Sequence, residues 1–223
     1  MKMHSKHLVI FAKAPRLGRV KSRLAHEIGS IAAWQFYRSC LNTMVQNLTP
    51  TKRHPLTWNA WLALAPDGEA LPGEIFTGSP PAIPVLDQGN GDLGHRMGRV
   101  FQNMPPGPVV IIGTDIPTIT PSHITKAFKA LDDRDSVLGP AQDGGYWLIG
   151  LKRSPRSQMN AAHHIFKNVR WSSEHALEGT QTNLQQLGLK STMLERLEDV
   201  DDKASYDRWK SFTDARSGAA ISR

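Results

Sequence analysis

The 223-residue chain has a single cysteine, Cys40, so it can form neither an internal disulfide nor a zinc site built on several cysteines. This scarcity fits a reducing compartment, and we expect a cytoplasmic protein. The first apolar run, residues 8–12, is too short for a signal segment or a membrane span and leads directly into Lys13. We therefore expect no membrane-spanning segment.

The sequence also lacks the signatures of the common nucleic-acid-binding folds. Lys and Arg number 27 against 20 Asp and Glu, a net charge of +7, but the cations are scattered along the chain. We expect no nucleic-acid partner, and we take the acidic ligand to be a phosphorylated small molecule. No two histidines have the i, i+4 spacing of helical metal-binding motifs, so no histidine is predicted to bind metal.

Short apolar runs alternate with amphipathic stretches along the chain. The run at 109–112 has no polar alternation, which is typical of a parallel strand covered on both faces. Strands are predicted at residues 8–12, 58–65, 109–112, 136–139, 146–151 and 192–197, and helices after Gly18, after the cap Ser30, over 93–101, after the Thr120 cap and from Ser172. An irregular connection is expected over 73–84. The order predicts one α/β domain, residues 1–213, with a mainly parallel sheet flanked by helices and a flexible C-terminal tail at 214–223.

A basic loop follows the first predicted strand. Residues 13–23 place five cations between a strand and a helix start: Lys13, Arg16, Arg19, Lys21 and Arg23. The free N–H groups and the positive dipole of a helix start favour a bound di- or triphosphate. The loop is not a Walker A motif, because Gly18 and Lys21 are not adjacent. A solvated basic turn is the alternative interpretation.

Two further polar segments follow predicted strands, where open parallel sheets bind their ligands. In Gly113-Thr114-Asp115-Ile116-Pro117, the carboxylate of Asp115 can hold Mg²⁺ or Mn²⁺, or it can simply cap the turn. In residues 139–147, Asp143 offers a base and Tyr146 an aromatic wall, beside the glycine pair Gly144 and Gly145. An ordinary hairpin turn is the alternative for this second segment.

Residues 89–94, Gly-Asn-Gly-Asp-Leu-Gly, match the dinucleotide-binding pattern G-x-G-x-x-G and precede a predicted helix. The residues before them include Pro81 and Pro84, and proline is nearly excluded from the central strand that such a fingerprint follows. NAD or FAD binding is therefore a minor hypothesis.

Several motifs together resemble a known family. They are Phe11-Ala12-Lys13-Ala14-Pro15 with Gly18, Lys21 and Arg23-Leu24; Gln88 to Gly94 with Arg96-Met97; Gly113 to Pro117; Gly139-Pro140; Asp143 to Tyr146; Trp171-Ser172; and Asp199-Val200-Asp201. In this order they are similar to the GT-A-fold proteins described as glycosyltransferase-like, the DUF2064 family. That family also includes proteins described as selenodomain-associated transferases and as arsenosugar-biosynthesis glycosyltransferases. It is related to the 2-phospholactate and molybdopterin guanylyltransferases.

The resemblance implies a GT-A, Rossmann-like nucleotide-diphospho-sugar transferase fold and assigns residues to roles. It implies that Asp115 and Asp201 hold Mg²⁺ or Mn²⁺ and that Asp115, Asp143 and Lys21 are catalytic. Nucleotide and phosphate contacts fall on Ala12, Lys13, Pro15, Gly18, Lys21, Arg23, Gln88, Gly91, Leu93, Gly94 and Arg96, and acceptor contacts on Asp143, Gly144, Gly145, Tyr146 and Trp171. The sequence departs from the family pattern after Asp201, where Asp202, Lys203, Ala204 and Ser205 replace a threonine, a proline and an acidic pair.

The leading functional hypothesis is metal-dependent sugar transfer from a nucleotide-diphospho-sugar. The rival enzyme hypothesis is nucleotidyl transfer from a nucleoside triphosphate with release of pyrophosphate, because the same residues stabilise phosphate charge beside a metal in both reactions. An NAD-dependent oxidoreductase and a non-catalytic nucleotide-binding module are the remaining alternatives. The base, the sugar, the acceptor and the oligomeric state stay open at this point.

Overall fold

The computed structural model describes residues 5–68, 82–153 and 164–221, with side chains as far as residue 214. Most of the predicted irregular connection at 73–84 lies outside the described residues. One sheet is formed by seven strands: β1 (His7–Lys13), β2 (Asn59–Ala65), β3 (Val85–Asp87), β4 (Val109–Ile112), β5 (Ser136–Pro140), β6 (Tyr146–Leu151) and β7 (Ser191–Met193). Their order across the sheet is β3-β2-β1-β4-β6-β5-β7. Only β6 runs antiparallel to its neighbours, so the predicted mainly parallel sheet is confirmed.

Six helices flank this sheet in the described residues. They are α1 (Ser22–Ile28), α2 (Ser30–Leu48), α3 (Leu93–Asn103), α4 (Pro121–Asp133), α5 (Ala176–Gln186) and α6 (Lys203–Ile221). Pro121 is the first residue of α4, after the predicted cap Thr120. None of the described helices is both long and apolar enough to cross a membrane.

The central strands are buried on both faces, which explains their unbroken apolar runs. Successive side chains of a strand point to opposite faces. Leu8 and Ile10 therefore pack in one hydrophobic cluster with residues of α2 and α4, whereas Val9 packs in a second cluster with residues of α3 and α5. The sheet thus separates two cores.

Three predicted boundaries differ from the structure. The cap of α2 is Gly29, and Ser30 is already helical, without a side-chain cap. The helix predicted from Ser172 begins at Ala176, because Ser172 has a φ of 57°, which no α-helix accommodates. The last predicted strand, 192–197, is shorter: β7 ends at Met193, and Leu197 forms only an isolated bridge to Ala141.

The backbone of α6 is helical to Ile221, within the segment predicted as a tail. Ala215, Arg216, Ala219 and Ala220 in this part of the chain have high helix propensity. The single domain at residues 1–213 and the flexible tail at 214–223 remain predictions.

Cys40 gives a direct test of the packing of α2. Burial raises the pKa of its thiol to about 12, and it packs in a third cluster with Leu24, Phe36 and Val200. Because the thiolate is the reactive form, we expect the native protein to react with Ellman's reagent at pH 8 at least ~100-fold more slowly than the urea-unfolded chain. The unfolded chain should release one equivalent of chromophore. Equal rates in the two states would contradict this packing.

Candidate active site

A cavity of about 540 Å³ opens where the carboxyl ends of β1 and β4 meet. In parallel sheets this edge is where ligands bind. Its polar wall consists of Lys13, Lys21, Ser22, Arg23, Tyr37, Gln88, Arg96, Thr114, Asp115, Asp143, Ser172 and Asp201. The cavity therefore combines four cations with three carboxylates.

Lys21 lies at the centre of the charged wall, between two aspartates. Its Nζ atom is 2.6 Å from Oδ1 of Asp115 and 2.7 Å from Oδ1 of Asp201. The lysine side chain is only 4% exposed, whereas those of Asp115 and Asp201 are 57% and 41% exposed. Burial pulls the pKa of Lys21 down, but the two carboxylates outweigh it, so the pKa lies above its ordinary value. The ammonium is therefore charged in this position.

Backbone geometry fixes this arrangement from three separate segments. Lys21 is the N-cap of α1 and has a left-handed backbone, with a φ of 50° and a ψ of 48°. Asp115 follows β4 in the chain, and its carbonyl accepts a hydrogen bond of 3.0 Å from the N–H of Val200. Val200 itself is buried, and the next residue, Asp201, lines the cavity.

Asp199 adds a fourth carboxylate close to the cavity wall. It is half-buried, and burial together with the charges of Asp143 and Asp201 raises its pKa to about 6. Asp199 is thus near both carboxylates.

Tyr37 fixes the start of the basic loop to the segment after β4 that contains Asp115. Its hydroxyl donates to the carbonyl of Lys13 at 2.9 Å and accepts from the N–H of Lys13 at 3.0 Å. The same oxygen accepts from Oγ1 of Thr114 at 3.2 Å. Burial raises the pKa of Tyr37 to about 12, so the hydroxyl stays protonated and can donate. One helical side chain therefore aligns both edges of the cavity.

Gln88 joins the end of β1 to the glycine-rich loop, residues 89–94. Its Nε2 donates to the carbonyls of Ala12 at 2.8 Å and Ala63 at 2.9 Å, and its Oε1 accepts from Arg96 Nη1 at 2.9 Å. The side chain is almost completely buried. The amide N–H groups of Gln88 are thus used within the protein and are not available to a ligand. The role of Gln88 is to position Arg96 at the cavity.

A second cavity of about 740 Å³ adjoins the first and shares Lys13 and Arg96 with it. Its wall also includes Arg16, Arg19, Asp67, Gly89, Asn90 and Gly91. The two cavities together extend from the paired aspartates to the glycine-rich loop, a span with cations on both sides.

A family model described as "Uncharacterized protein conserved in bacteria (DUF2064)" matches residues 51–173, more than half of the chain. The chain belongs to the DUF2064 family. The matched residues include Gln88 to Gly94, Asp115 and Asp143 to Tyr146, whereas the basic loop and Asp201 lie outside them. No curated protein matches the sequence significantly.

The fold also resembles solved structures. A proposed nucleotide-diphospho-sugar transferase from Desulfovibrio desulfuricans G20 is 27% identical, with a TM-score of 0.75 over 89% of this chain and 84% of that chain. A 4-diphosphocytidyl-2C-methyl-D-erythritol synthase from Anaerococcus prevotii DSM 20548 is 10% identical, with a TM-score of 0.60 over 94% and 96%. The inositol-1-phosphate CTP transferase from T. maritima is 9% identical, with a TM-score of 0.54 over 90% and 91%. This DUF2064 chain has the predicted GT-A, nucleotide-diphospho-sugar transferase fold.

The structure brings most of the predicted nucleotide residues together. The first cavity is lined by Ala12, Lys13, Lys21, Arg23, Gln88, Leu93 and Arg96, and the second by Lys13, Gly91 and Arg96. Pro15, Gly18 and Gly94 lie outside both walls. The carbonyl of Pro15 accepts from Trp34 Nε1, and Gly94 packs under Trp171, so these two residues support the loops that carry the cations.

The predicted acceptor residues have more mixed positions. Asp143 and the ring of Tyr146 line the first cavity. The hydroxyl of Tyr146 points toward Oγ1 of Thr180, 3.5 Å away, and burial raises its pKa, so it is not a base. Trp171 packs against Phe166, Tyr146 and Gly94 behind the wall.

The glycine pair forms the turn between β5 and β6, as the hairpin interpretation predicts. Oδ1 of Asp143 accepts from the N–H of Gly145 at 2.8 Å. Gly144 has a φ of 85°, and a Cβ there would lie 2.2 Å from the carbonyl oxygen of Glu174. Gly144 is therefore needed because the chain before α5 packs directly against the turn.

Sequence reasoning missed Tyr37, Thr114 and Asp199 as parts of the site. Asp199 had a usable signal, because it alternates with Asp201 around an apolar residue in the motif Asp-Val-Asp. Tyr37 had none, since it reads as one of many apolar positions on α2. The structure also explains the departure from the family pattern after Asp201. Asp202 lies directly before α6 and accepts from the N–H of Ser205 at 2.8 Å, as a helix N-cap does.

The glycine-rich loop does not occupy the place of a dinucleotide fingerprint. It follows β3, which has three residues and lies at the edge of the sheet. A Rossmann fingerprint follows the first, central strand. In this protein the first, central strand is β1, and the loop after it is the basic loop.

The donor set at Asp115 and Asp201 suits a hard divalent cation. Both groups are carboxylates, both are open to the cavity, and both already converge on one positive charge. Within the described residues, no three histidine, cysteine or acidic side chains converge closely enough to hold a metal by themselves. Mg²⁺ is commonly held by one or two carboxylates, with substrate phosphates and water completing its shell. The two aspartates therefore fit Mg²⁺ or Mn²⁺ carried in with a phosphate ligand.

The packing role of Gly94 predicts opposite effects of the same change in two helices. A Cβ at Gly94 would lie 2.7 Å from Trp171 and 2.8 Å from Phe166, whereas one at Gly179 in α5 would have its nearest neighbour at 3.7 Å. We expect Gly94→Ala to lower the free energy of unfolding by ~1–3 kcal/mol. Gly179→Ala should raise it by up to ~1 kcal/mol through helix propensity. Urea denaturation of both variants checks this, and an equal effect at the two sites would contradict it.

The hydrogen bonds of Tyr37 predict a loss of stability in Tyr37→Phe. The change leaves the N–H and carbonyl of Lys13 without their partner, so we expect the free energy of unfolding to fall by ~1–3 kcal/mol. Tyr206→Phe is the matched control, because the Tyr206 ring packs on Phe36 and its hydroxyl makes no hydrogen bond within the described part of the chain. It should change stability by less than ~0.5 kcal/mol. A control loss as large as that of Tyr37→Phe would refute the bridging role.

Proposed function

We propose that this protein transfers a sugar from a nucleotide-diphospho-sugar to an acceptor hydroxyl, using a divalent metal. The observation that carries the proposal is the convergence of Asp115 and Asp201 on one cation position beside the basic loop. The relative from Desulfovibrio desulfuricans, at 27% identity, carries the description of the same reaction class.

The phosphate half of the site would work by charge. A metal held by Asp115 and Asp201 would supply positive charge to the diphosphate as it leaves. Lys13, Arg23 and Arg96 line the same cavity and would hold the remaining diphosphate oxygens. Tyr37 and Gln88 keep the backbone and guanidinium donors in place, so little reorganisation is needed during the reaction.

The acceptor half would use Asp143, which faces the same cavity from the β5–β6 turn. A bond forms between the acceptor oxygen and the anomeric carbon, and the bond from that carbon to the diphosphate oxygen breaks. Its electron pair leaves with the nucleoside diphosphate, while the acceptor proton passes to the carboxylate of Asp143.

Nucleotidyl transfer is the second candidate, and the second cavity favours it. Arg16 and Arg19 add cations beyond those that a diphosphate needs, in a space continuous with Lys13 and Arg96. A nucleoside triphosphate could extend along this row. In that reaction the acceptor oxygen attacks the α-phosphorus and pyrophosphate leaves with the electron pair.

The test is a thermal-unfolding panel of nucleoside triphosphates and nucleotide-diphospho-sugars, each with and without Mg²⁺ or Mn²⁺. A ligand at 100 times its Kd stabilises the protein by about 2.7 kcal/mol, so we expect Tm to rise by roughly 5–10 °C. Asp115→Asn should abolish the metal-dependent part of the rise, because it removes one carboxylate. Asp133→Asn, an exposed change on α4 away from the cavity, should respond as the parent does.

Products separate the two reactions. Phosphorus NMR of the most stabilising donor should show release of a nucleoside diphosphate for sugar transfer and of pyrophosphate for nucleotidyl transfer. If no nucleotide shifts the Tm with either metal, or if Asp115→Asn responds like the parent, the proposed function is wrong.

A further inference from the structure

The ammonium of Lys21 occupies the position that the proposed function gives to a divalent cation. We propose that Lys21 is a built-in counter-cation, which excludes metal from Asp115 and Asp201 in the free protein and yields that position when a nucleotide diphosphate binds. This inference rests on the proposed function and adds to it an order of events: metal and diphosphate enter together. It makes Lys21 a positioning residue for the metal site.

Geometry is the first support. Lys21 Nζ lies within 2.7 Å of one oxygen from each aspartate. A metal ion that contacted the same two oxygens would have to lie almost where this nitrogen lies. Two cations cannot share that position, because their repulsion at such a distance is far stronger than solvent can screen. Lysine and metal therefore exclude one another.

The way in which Lys21 is held is the second support. Its side chain is almost wholly buried, although a charged lysine is rarely buried without partners. Its backbone adopts the left-handed conformation, which is uncommon for any residue except glycine. Strained positions of this kind persist only where the surrounding structure fixes them. The lysine is thus built into the site, while the carboxylates it joins remain open to the cavity.

The third support is that the same cavity offers Lys21 another partner. Lys13, Arg23 and Arg96 line the space next to it and would draw a diphosphate there. The lysine side chain has a flexible four-carbon stem, so its ammonium can turn from the aspartates to a phosphate oxygen without a change in the backbone. Metal and diphosphate then favour each other's binding. The diphosphate draws Lys21 away from the aspartates, and a metal bound to the aspartates frees Lys21 for the diphosphate.

The decisive experiment titrates Mn²⁺ alone into the nucleotide-free protein and follows unbound Mn²⁺ by electron paramagnetic resonance. Lys21→Met and Lys21→Gln vacate the position between the aspartates, and we expect each to bind Mn²⁺ at least about tenfold more tightly than the parent. Lys21→Arg keeps a cation there and should stay within about threefold of the parent. The double variant Lys21→Met/Asp115→Asn should lose the gain, which locates the ion at the aspartates.

Lys13→Met is the matched control for charge. It removes one positive charge from the same cavity, but Lys13 makes no ion pair within the described part of the chain. Its Mn²⁺ affinity should change by less than about threefold, because the variant removes only a long-range, screened repulsion between Lys13 and the metal. Two Lys21 variants are used so that the test remains valid if one of them misfolds. Circular dichroism checks that each variant is folded.

The outcomes separate this inference from the proposed function. If Lys21→Met and Lys21→Gln bind Mn²⁺ no better than the parent, the counter-cation role is wrong, even when nucleotides with metal raise the Tm. If both variants gain Mn²⁺ affinity but no nucleoside triphosphate or nucleotide-diphospho-sugar raises the Tm of the parent with either metal, the exclusion of metal by Lys21 stands and the proposed function falls. A gain as large in Lys13→Met would also overturn the inference, because general charge would then explain it.

Discussion

One ammonium group between two carboxylates joins the three chain segments on which the cavity depends. Lys21 precedes α1, Asp115 follows β4, and Asp201 precedes α6, so residues 180 positions apart meet at one point. The hydrogen bond from Val200 to Asp115 fixes the two acidic segments relative to each other. If either acidic segment moved by more than the length of an aspartate side chain, its carboxylate could no longer reach Lys21.

This arrangement serves placement of charge more than stability. Both aspartates are about half exposed, so water screens their attraction to Lys21, and the desolvation cost of the buried ammonium offsets part of that attraction. The hydrophobic clusters on the two faces of the sheet already hold β1 and β4 in place. The sheet thus makes the site rigid, and the ion pairs hold the Lys21 ammonium at a defined point within it.

The sequence predicts this architecture where the physics is local. An apolar run without alternation indicates a strand buried on both faces, which predicts β4. A carboxylate directly after such a run indicates the ligand-binding edge of the sheet, which predicts the place of Asp115. The role of Tyr37 cannot be predicted from the sequence, because it depends on contacts with Lys13 and Thr114, 24 and 77 positions away.

Gly94 shows a different limit of prediction from the sequence. A single sequence does not distinguish a glycine that admits a ligand from one that admits a tryptophan ring, and here the neighbour is Trp171.

The two halves of the proposed site are supported in different ways, and this bears on how the acceptor is chosen. The phosphate half stands on the ends of β1 and β4, which lie side by side in the middle of the sheet. Asp143 stands on a turn whose position depends on α5 and the chain before it. The backbone of Glu174 packs on Gly144, and the N–H of Leu177 donates to the carbonyl of Gly144 at 3.1 Å. Lys21 and Asp115 lie on other segments and make no contact with that chain in the hydrogen bonds described above. Under the proposed function, changes in that chain would therefore alter the acceptor half and leave the nucleotide half as it is.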